Sequence, residues 1–185
     1  LVKEVSERAT FKFRAIPEIK KYVNVQNLDY IFEESTDVLF HKTRILNDLT
    51  LMADTNFVCS HDVDVVYPHT SHQNAFNMLK TNQADVVYPY GRGRFQYRVK
   101  PSDTVVSDFL EDYDYAILKS NSQMHDSDFG WVQFFRREVY IEGGMENENF
   151  KAYAPEDKER FYRYNTLGYS VGRINSDIYH LEHAR

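Results

Sequence analysis

Asp62 and Asp64 follow directly on an apolar run in the stretch FVCSHDVDVVYP, residues 57–68. Carboxylates set against a core cost free energy unless something pairs with them. In an alternating extended chain both would share one face with Val63 turned away, a pair suited to a divalent cation that takes oxygen ligands. A solvated acidic turn accounts for the same triplet, and the triplet alone does not separate the two readings. The closing YHLEHAR carries His180 and His183. Imidazoles joined to a carboxylate suit Mn²⁺ or Zn²⁺ better than Mg²⁺, whereas two surface histidines in a polar tail are the plain alternative. YAPEDKERFYR sets Glu156 and Asp157 in the first turn of a helix, where free N–H groups and the dipole stabilise negative charge. Acids belong there on structural grounds alone, yet a carboxylate so oriented can also act as general base toward a hydroxyl.

Other residues carry weaker signals. Arg160 and Arg163 read as ordinary surface partners of Glu156 and Glu159, four residues earlier in each case. GRGR at 91–94 lacks the strand-to-helix setting of a dinucleotide loop and reads as a turn. Cys59 is the only cysteine, which excludes an internal disulfide, and it reads as buried. His125 reads as a loop histidine. Neither a serine nucleophile elbow nor a phosphate-binding P-loop is present.

The elements that must position these residues follow from periodicity and punctuation. LVKEVS and LDYIFEE read as short strands, with IPEIKKYV an ill-defined connection between them. FHKTRILNDLTLMADT predicts a helix packed on a sheet through Ile45, Leu46, Leu49, Leu51 and Met52. NFVCS is a buried strand ending at the acids. SHQNAFNMLKTNQ is a helix with Ser71 as N-cap and Phe76 and Leu79 on one face. ADVVYPY is a further strand, and SDTVVSDFLEDYDYAILKS is helical over most of its length. WVQFFRREVYIEGG reads as a strand, a turn and a stop at Gly143-Gly144. PEDKERFYRYNTLG is a helix running from Pro155 to a cap at Gly168, and YSVGRINSDIYHLEH is extended. Strands alternating with helices predict one α/β domain over residues 1–185, a sheet flanked by helices. Ligands collect at the carboxyl ends of strands in such sheets, where Asp62 and Asp64 lie.

Bulk properties narrow the partners. A chain of 185 residues is long enough to bury a sizeable core. Its 14 Tyr and 13 Phe supply core rings and also surfaces suited to carbohydrate or flat ligands. The net charge of −6 argues against nucleic acid as a partner, since phosphate backbones need a basic surface. The chain shows no transmembrane segment and no signal peptide, which leaves peripheral membrane association open. It begins LVKEVSERA without an initiator Met, and the expectation is that an N-terminal segment, with a strand of the sheet, is missing.

The three clusters occur in an order that resembles the GT-A glycosyltransferases, specifically the galactosyltransferase C-terminal domain of the β-1,4-galactosyltransferase type. From Phe40 onward, FHKTRILN is similar to that family's FNRAKLLN, and FVCSHDVDVVYP to its FVFSDVDLIP. FGWVQFFRREVYIEGG is similar to its Gly-containing strand and following turn, YAPEDKERFYRYNTLGY to its WGGEDDDIFNRL helix start, and YHLEHAR to its MIRHSR. The resemblance implies a GT-A nucleotide-sugar-binding fold with a mixed, mostly parallel sheet. It implies Asp64 and His183 as ligands of Mn²⁺, with Mg²⁺ as an alternative, and His180 where the family has a Met ligand. Asp62 and Val63 would border the nucleotide, Phe40 would lie near the uracil, and Lys42 stands in place of an Arg. Asp157 matches the catalytic base and Glu156 its acceptor-binding neighbour. The family's Trp-Gly-Gly ahead of the acids is here Tyr153-Ala154-Pro155, which leaves the Trp-bearing lid without a counterpart.

The implied activity is inverting, metal-dependent transfer of a hexose from a UDP-sugar to a glycan hydroxyl, with galactose or N-acetylgalactosamine favoured. UDP-glucose or UDP-N-acetylglucosamine is the alternative donor. The absence of disulfides and of a membrane anchor fits a bacterial-type, cytoplasmic enzyme in polysaccharide biosynthesis. A non-catalytic nucleotide-sugar or glycan-binding module would bind UDP with metal and turn nothing over. A metal phosphohydrolase would release phosphate from simple esters, and the chain lacks the dense carboxylate cluster of a two-metal site.

Overall fold

The computed structural model describes residues 9–13, 28–32, 39–126, 128–151 and 155–183. The strand expected at residues 1–6, the connection at 16–23, Tyr153, Ala154 and the last two residues lie outside these. The expected α/β alternation is present. Two short strands, β1 (Ala9–Phe13) and β2 (Leu28–Phe32), pair in parallel. Then follow α1 (Lys42–Met52), β3 (Phe57–His61), β4 (Val65–Val66), α2 (His69–Lys80), β5 (Val86–Tyr88) and β6 (Gln96–Val99). The second half holds α3 (Asp103–Asp112), α4 (Tyr115–Ser120), β7 (Ser122–Met124), β8 (Val132–Arg136), α5 (Arg137–Glu142), α6 (Glu156–Thr166), β9 (Val171–Arg173) and β10 (Ile178–Leu181).

Two four-stranded sheets carry the architecture, in the orders β3-β8-β5-β9 and β4-β10-β6-β7. Both are mixed, and the pairing is more balanced than mostly parallel. Among the described residues three strand pairings are parallel and four antiparallel. β8 is the central strand of the first sheet, and Val132, Gln133, Phe134 and Phe135 are all buried. A strand covered on both faces reads as a continuous apolar run without alternation, as VQFF nearly does. Burying each Phe stabilises by about 1.5–3 kcal/mol. Ala75 and Leu79 of α2 and Tyr140 and Tyr164 of α5 and α6 belong to the same core. Val99, Phe109, Leu118 and Tyr179 form a second, smaller cluster where α3 and α4 cover the other sheet.

Local chemistry explains most element ends. Ser102 caps α3 by accepting from the Val105 N–H (3.2 Å), and Tyr113 at φ 54° breaks the run before Asp114 caps α4. α6 ends as expected at Gly168 (φ 87°), with Gly168 N–H donating to the Asn165 carbonyl and Tyr169 N–H to the Tyr164 carbonyl. Three local expectations need correction. Ser71 is not a cap: α2 starts two residues earlier, and the buried Ser71 hydroxyl donates to Ser176 Oγ at 2.6 Å. The turn expected after β8 is the helix α5. Cys59, expected buried, is exposed on β3.

α1 departs most from its pattern. Its buried residues are Thr43, Asn47 and Thr50, while Leu51 and Met52 are 55% and 60% exposed. The buried polar groups are each satisfied, as burial requires. Thr43 donates to the Phe150 carbonyl (3.1 Å), and Asn47 donates to the Glu146 carbonyl (3.0 Å) and accepts from the Glu146 N–H (2.8 Å). α1 is thus tied to the segment that leads into α6, and Lys42 at its first turn is held near the start of that helix.

Candidate functional site

The acidic triplet is where the two sheets meet. β3 ends at His61 in one sheet, and β4 begins at Val65 in the other. The Val65 N–H donates to the Asp62 carbonyl at 3.2 Å, so residues 62–65 form a tight turn, not the extended run expected. The two carboxylates accordingly take different partners. Asp62 donates its N–H to the Trp131 carbonyl (2.9 Å), and its side chain pairs with Lys42 Nζ at 3.1 Å. Asp64 accepts at its carbonyl from the Leu181 N–H (2.8 Å), which draws the end of β10 alongside. Its Oδ2 then lies 3.4 Å from His180 Nε2 and 3.0 Å from His183 Nε2. Val63 is exposed at the tip of the turn, and Phe40 is exposed just ahead of α1; neither takes part in these ion pairs.

Two imidazole nitrogens and a carboxylate oxygen, from β10, the residues after it and the turn, therefore face one another. The His180 ring stacks on Trp131 with centroids 5.4 Å apart, and its Nδ1 is buried with no hydrogen-bond partner. Borderline nitrogen donors beside a hard oxygen fit Mn²⁺ by type. Among the described residues no group of three or more His, Cys, Asp or Glu side chains forms a ready-made cation cage. A cation held by Asp64, His180 and His183 would take further ligands from substrate oxygens or water.

The other half of the site is the first turn of α6. Glu156 is buried, and burial raises its pKa above the usual carboxylate value; its Oε2 has no hydrogen-bond partner. Lys42 Nζ lies 4.0 Å from Glu156 Oε1 as well as close to Asp62. Burial alone would lower the Lys42 pKa, but the Asp62 and Asp157 carboxylates outweigh it and hold the ammonium above its ordinary value. Lys42 thus bridges the acidic turn and the α6 start.

Asp157 is held by Arg160, whose Nη2 donates to its Oδ1 at 2.5 Å. A Cβ at Gly130 would stand 2.9 Å from its Oδ2, so a side chain there would displace the carboxylate. The Gly130 carbonyl accepts from the buried Tyr90 hydroxyl at 2.5 Å, and the next residue, Trp131, has φ 73°. Gly130 and Trp131 therefore touch both halves of the site: one lies against Asp157, the other against Asp62 and His180.

Arg160 is not the surface partner of Glu156 that the spacing suggested. It is 2% exposed, forms an ion pair with the buried Glu146, and donates to Gln133 Oε1 at 2.7 Å. Tyr140 donates to Glu146 as well. Glu159 and Arg163 do pair as expected, at 2.7 Å. Sequence reasoning passed over Glu146 and Tyr90. The one available signal for Trp131 was the chain's single tryptophan beside a glycine ahead of a buried strand. His125, read as a loop residue, stacks on the Trp131 indole with ring centroids 5.7 Å apart, and burial lowers its pKa.

No protein-family model and no curated protein sequence matches the chain. Solved structures do resemble it in fold. GalNAc-T7, solved with UDP, GalNAc and Mn²⁺, aligns with a TM-score of 0.62 at 8% identity over 97% of this chain and 38% of its own. S. aureus TarS in complex with UDP-GlcNAc aligns with a TM-score of 0.58 at 12% identity, over 96% of this chain and 50% of its own. The catalytic domain of Drosophila β1,4-galactosyltransferase 7, in complex with xylobiose, aligns with a TM-score of 0.54 at 15% identity, over 94% and 69%. This chain has the GT-A glycosyltransferase fold.

Proposed function

We propose that the chain is a metal-dependent glycosyltransferase that moves a hexose from a UDP-sugar to a glycan hydroxyl with inversion. The observation that carries this reading is the Lys42 bridge, which joins Asp62 of the acidic turn to Glu156 at the start of α6. Through it, the Asp64–His180–His183 donor set and the Asp157 carboxylate belong to one site. Asp62 and Val63 would border the nucleotide, Phe40 its base, and Glu156 the acceptor. Asp64, His180 and His183 would hold Mn²⁺, which when bound supplies positive charge to the diphosphate leaving group.

Asp157 would take the proton of the acceptor hydroxyl as its oxygen attacks the anomeric carbon. The bond from that carbon to the diphosphate oxygen breaks, its electron pair leaves with UDP, and a single displacement inverts the carbon. The hydrogen bond from Arg160 orients the Asp157 carboxylate for that role. A UDP donor agrees with the ligands of GalNAc-T7 and TarS. Galactose or N-acetylgalactosamine is the donor sugar that the sequence resemblance favours.

Calorimetry of UDP binding with and without Mn²⁺, on the chain and on Asp64→Ala, tests the reading. Binding that needs both Mn²⁺ and Asp64 is expected, followed by turnover in a screen of UDP-sugars and glycan acceptors. Binding indifferent to Asp64 would remove it as a metal ligand, and Mn²⁺-dependent binding without turnover on any acceptor would favour a non-catalytic module.

A further inference from the structure

Arg160 is a buried cation with one carboxylate too many. Glu146, itself buried and hydrogen-bonded by Tyr140, is enough to pair with it. Yet the guanidinium also reaches Gln133 Oε1 at 2.7 Å and Asp157 Oδ1 at 2.5 Å. Asp157 is the least buried member, its side chain 26% exposed against 3% for Arg160 and 1% for Glu146. The network therefore runs from the core outward and ends at the one carboxylate that meets solvent. A guanidinium is planar and permanently charged, and its donors lie in a fixed fork. Anchored by Glu146 and Gln133, it fixes where Asp157 Oδ1 sits. Gly130 leaves room on the other side, where a Cβ would press on Oδ2 at 2.9 Å.

We propose that Arg160 is a positioning residue for Asp157: it holds one carboxylate oxygen so that the other meets the acceptor hydroxyl, in a space that the missing side chain of Gly130 leaves open. The inference rests on Asp157 being the general base. Arg160 touches no substrate in this role. A displacement of the base by about 1 Å can cost on the order of 100-fold in rate.

The test measures kcat, acceptor KM and Mn²⁺-dependent UDP binding in Arg160→Lys and Gly130→Ala, each also combined with Asp157→Asn. Lysine keeps the charge beside Glu146 but lacks the fork that reaches both oxygens. In the Asp157 background, kcat of the folded protein should fall at least 10-fold for either variant, while its UDP binding stays near the parent. In the Asp157→Asn background the same substitutions should cost little, because the residue they act through is already lost. A purely structural role for Arg160 would instead lower the thermal midpoint and UDP binding together, equally in both backgrounds, and would overturn the proposal. Wild-type kcat in folded Arg160→Lys would also overturn it. If Arg160→Lys does not fold, Glu146→Gln with Arg160→Met removes both buried charges together and is judged by the same criteria. A fully active Asp157→Asn would refute the base assignment itself, an outcome distinct from an inactive Asp157→Asn beside an unaffected Arg160→Lys.

Discussion

The two carboxylates at the centre of the site, Asp64 and Asp157, are held in opposite ways. Asp64 faces two imidazoles near the surface, one of them on a side chain 63% exposed. Asp157 faces a guanidinium that is buried and anchored by a second carboxylate. Imidazole is neutral or charged according to pH and is a common metal ligand, so the Asp64 cluster can exchange its internal contacts for a cation. Guanidinium is always charged and binds carboxylate through directed hydrogen bonds, so the Asp157 cluster keeps its arrangement. On the proposed reading, the difference separates a place that receives a cation from a place that holds a base still.

The sharpest way to break the comparison is Asp157→Asn. The amide keeps the shape but cannot take a proton, and kcat in a sugar-transfer assay should fall by about 10²–10⁴-fold with Mn²⁺-dependent UDP binding retained. Loss of UDP binding in that variant would mean that the fixed carboxylate serves the donor after all. Next in size is Glu146→Ala, which leaves a buried guanidinium short of its main partner. Urea unfolding should show a loss of about 3–5 kcal/mol. Glu159→Ala removes the partly exposed partner of Arg163 on the same helix and should cost no more than about 1 kcal/mol. Equal losses from the two glutamates would erase the distinction between the buried network and the helix surface.

An effect confined to acid pH concerns a histidine outside the site. Burial, with His61 and His69 nearby, lowers the His72 pKa from 6.5 to about 4, and its ring nitrogen Nδ1 meets the Tyr67 hydroxyl at 3.0 Å. The unfolded chain therefore binds a proton below pH 6.5 that the folded chain refuses. The stability that this group contributes is fully present above 6.5 and is lost as pH falls toward 4. His72→Gln should flatten the dependence of the urea midpoint on pH across that window. An unchanged slope would assign the acid sensitivity to other groups.

Local sequence carried much of the architecture. The α6 helix, with acids in its first turn and Gly168 beyond its end, was legible because caps and dipole effects act within a few residues. The strand of β8 was legible from its apolar run. The buried face of α1 was not, because periodicity tells which residues share a face but not which face meets the core. Thr43 and Asn47 are buried because residues 146–150 lie opposite and satisfy them, about a hundred positions along the chain, while the buried Thr50 hydroxyl donates to the Leu46 carbonyl within the helix. Arg160 failed for the same reason. Its spacing from Glu156 offered a local partner, whereas Glu146 and Gln133, 14 and 27 residues away, bind it instead.

The residue types of the candidate site stood out without a structure: two acids after an apolar run, two histidines near the end and an acid pair at a helix start. Chemistry limits which side chains can ligate a cation or accept a proton, so candidates stand out wherever they fall. Their partners were decided by tertiary structure. The turn at residues 62–65 sends Asp62 to Lys42 and Asp64 to His180 and His183, although alternation had put both acids on one face. Partnership is a matter of distance in space. The contacts that set it, α1 against residues 146–150, β10 against Asp64 and Gly130 against Asp157, each join segments far apart in the chain.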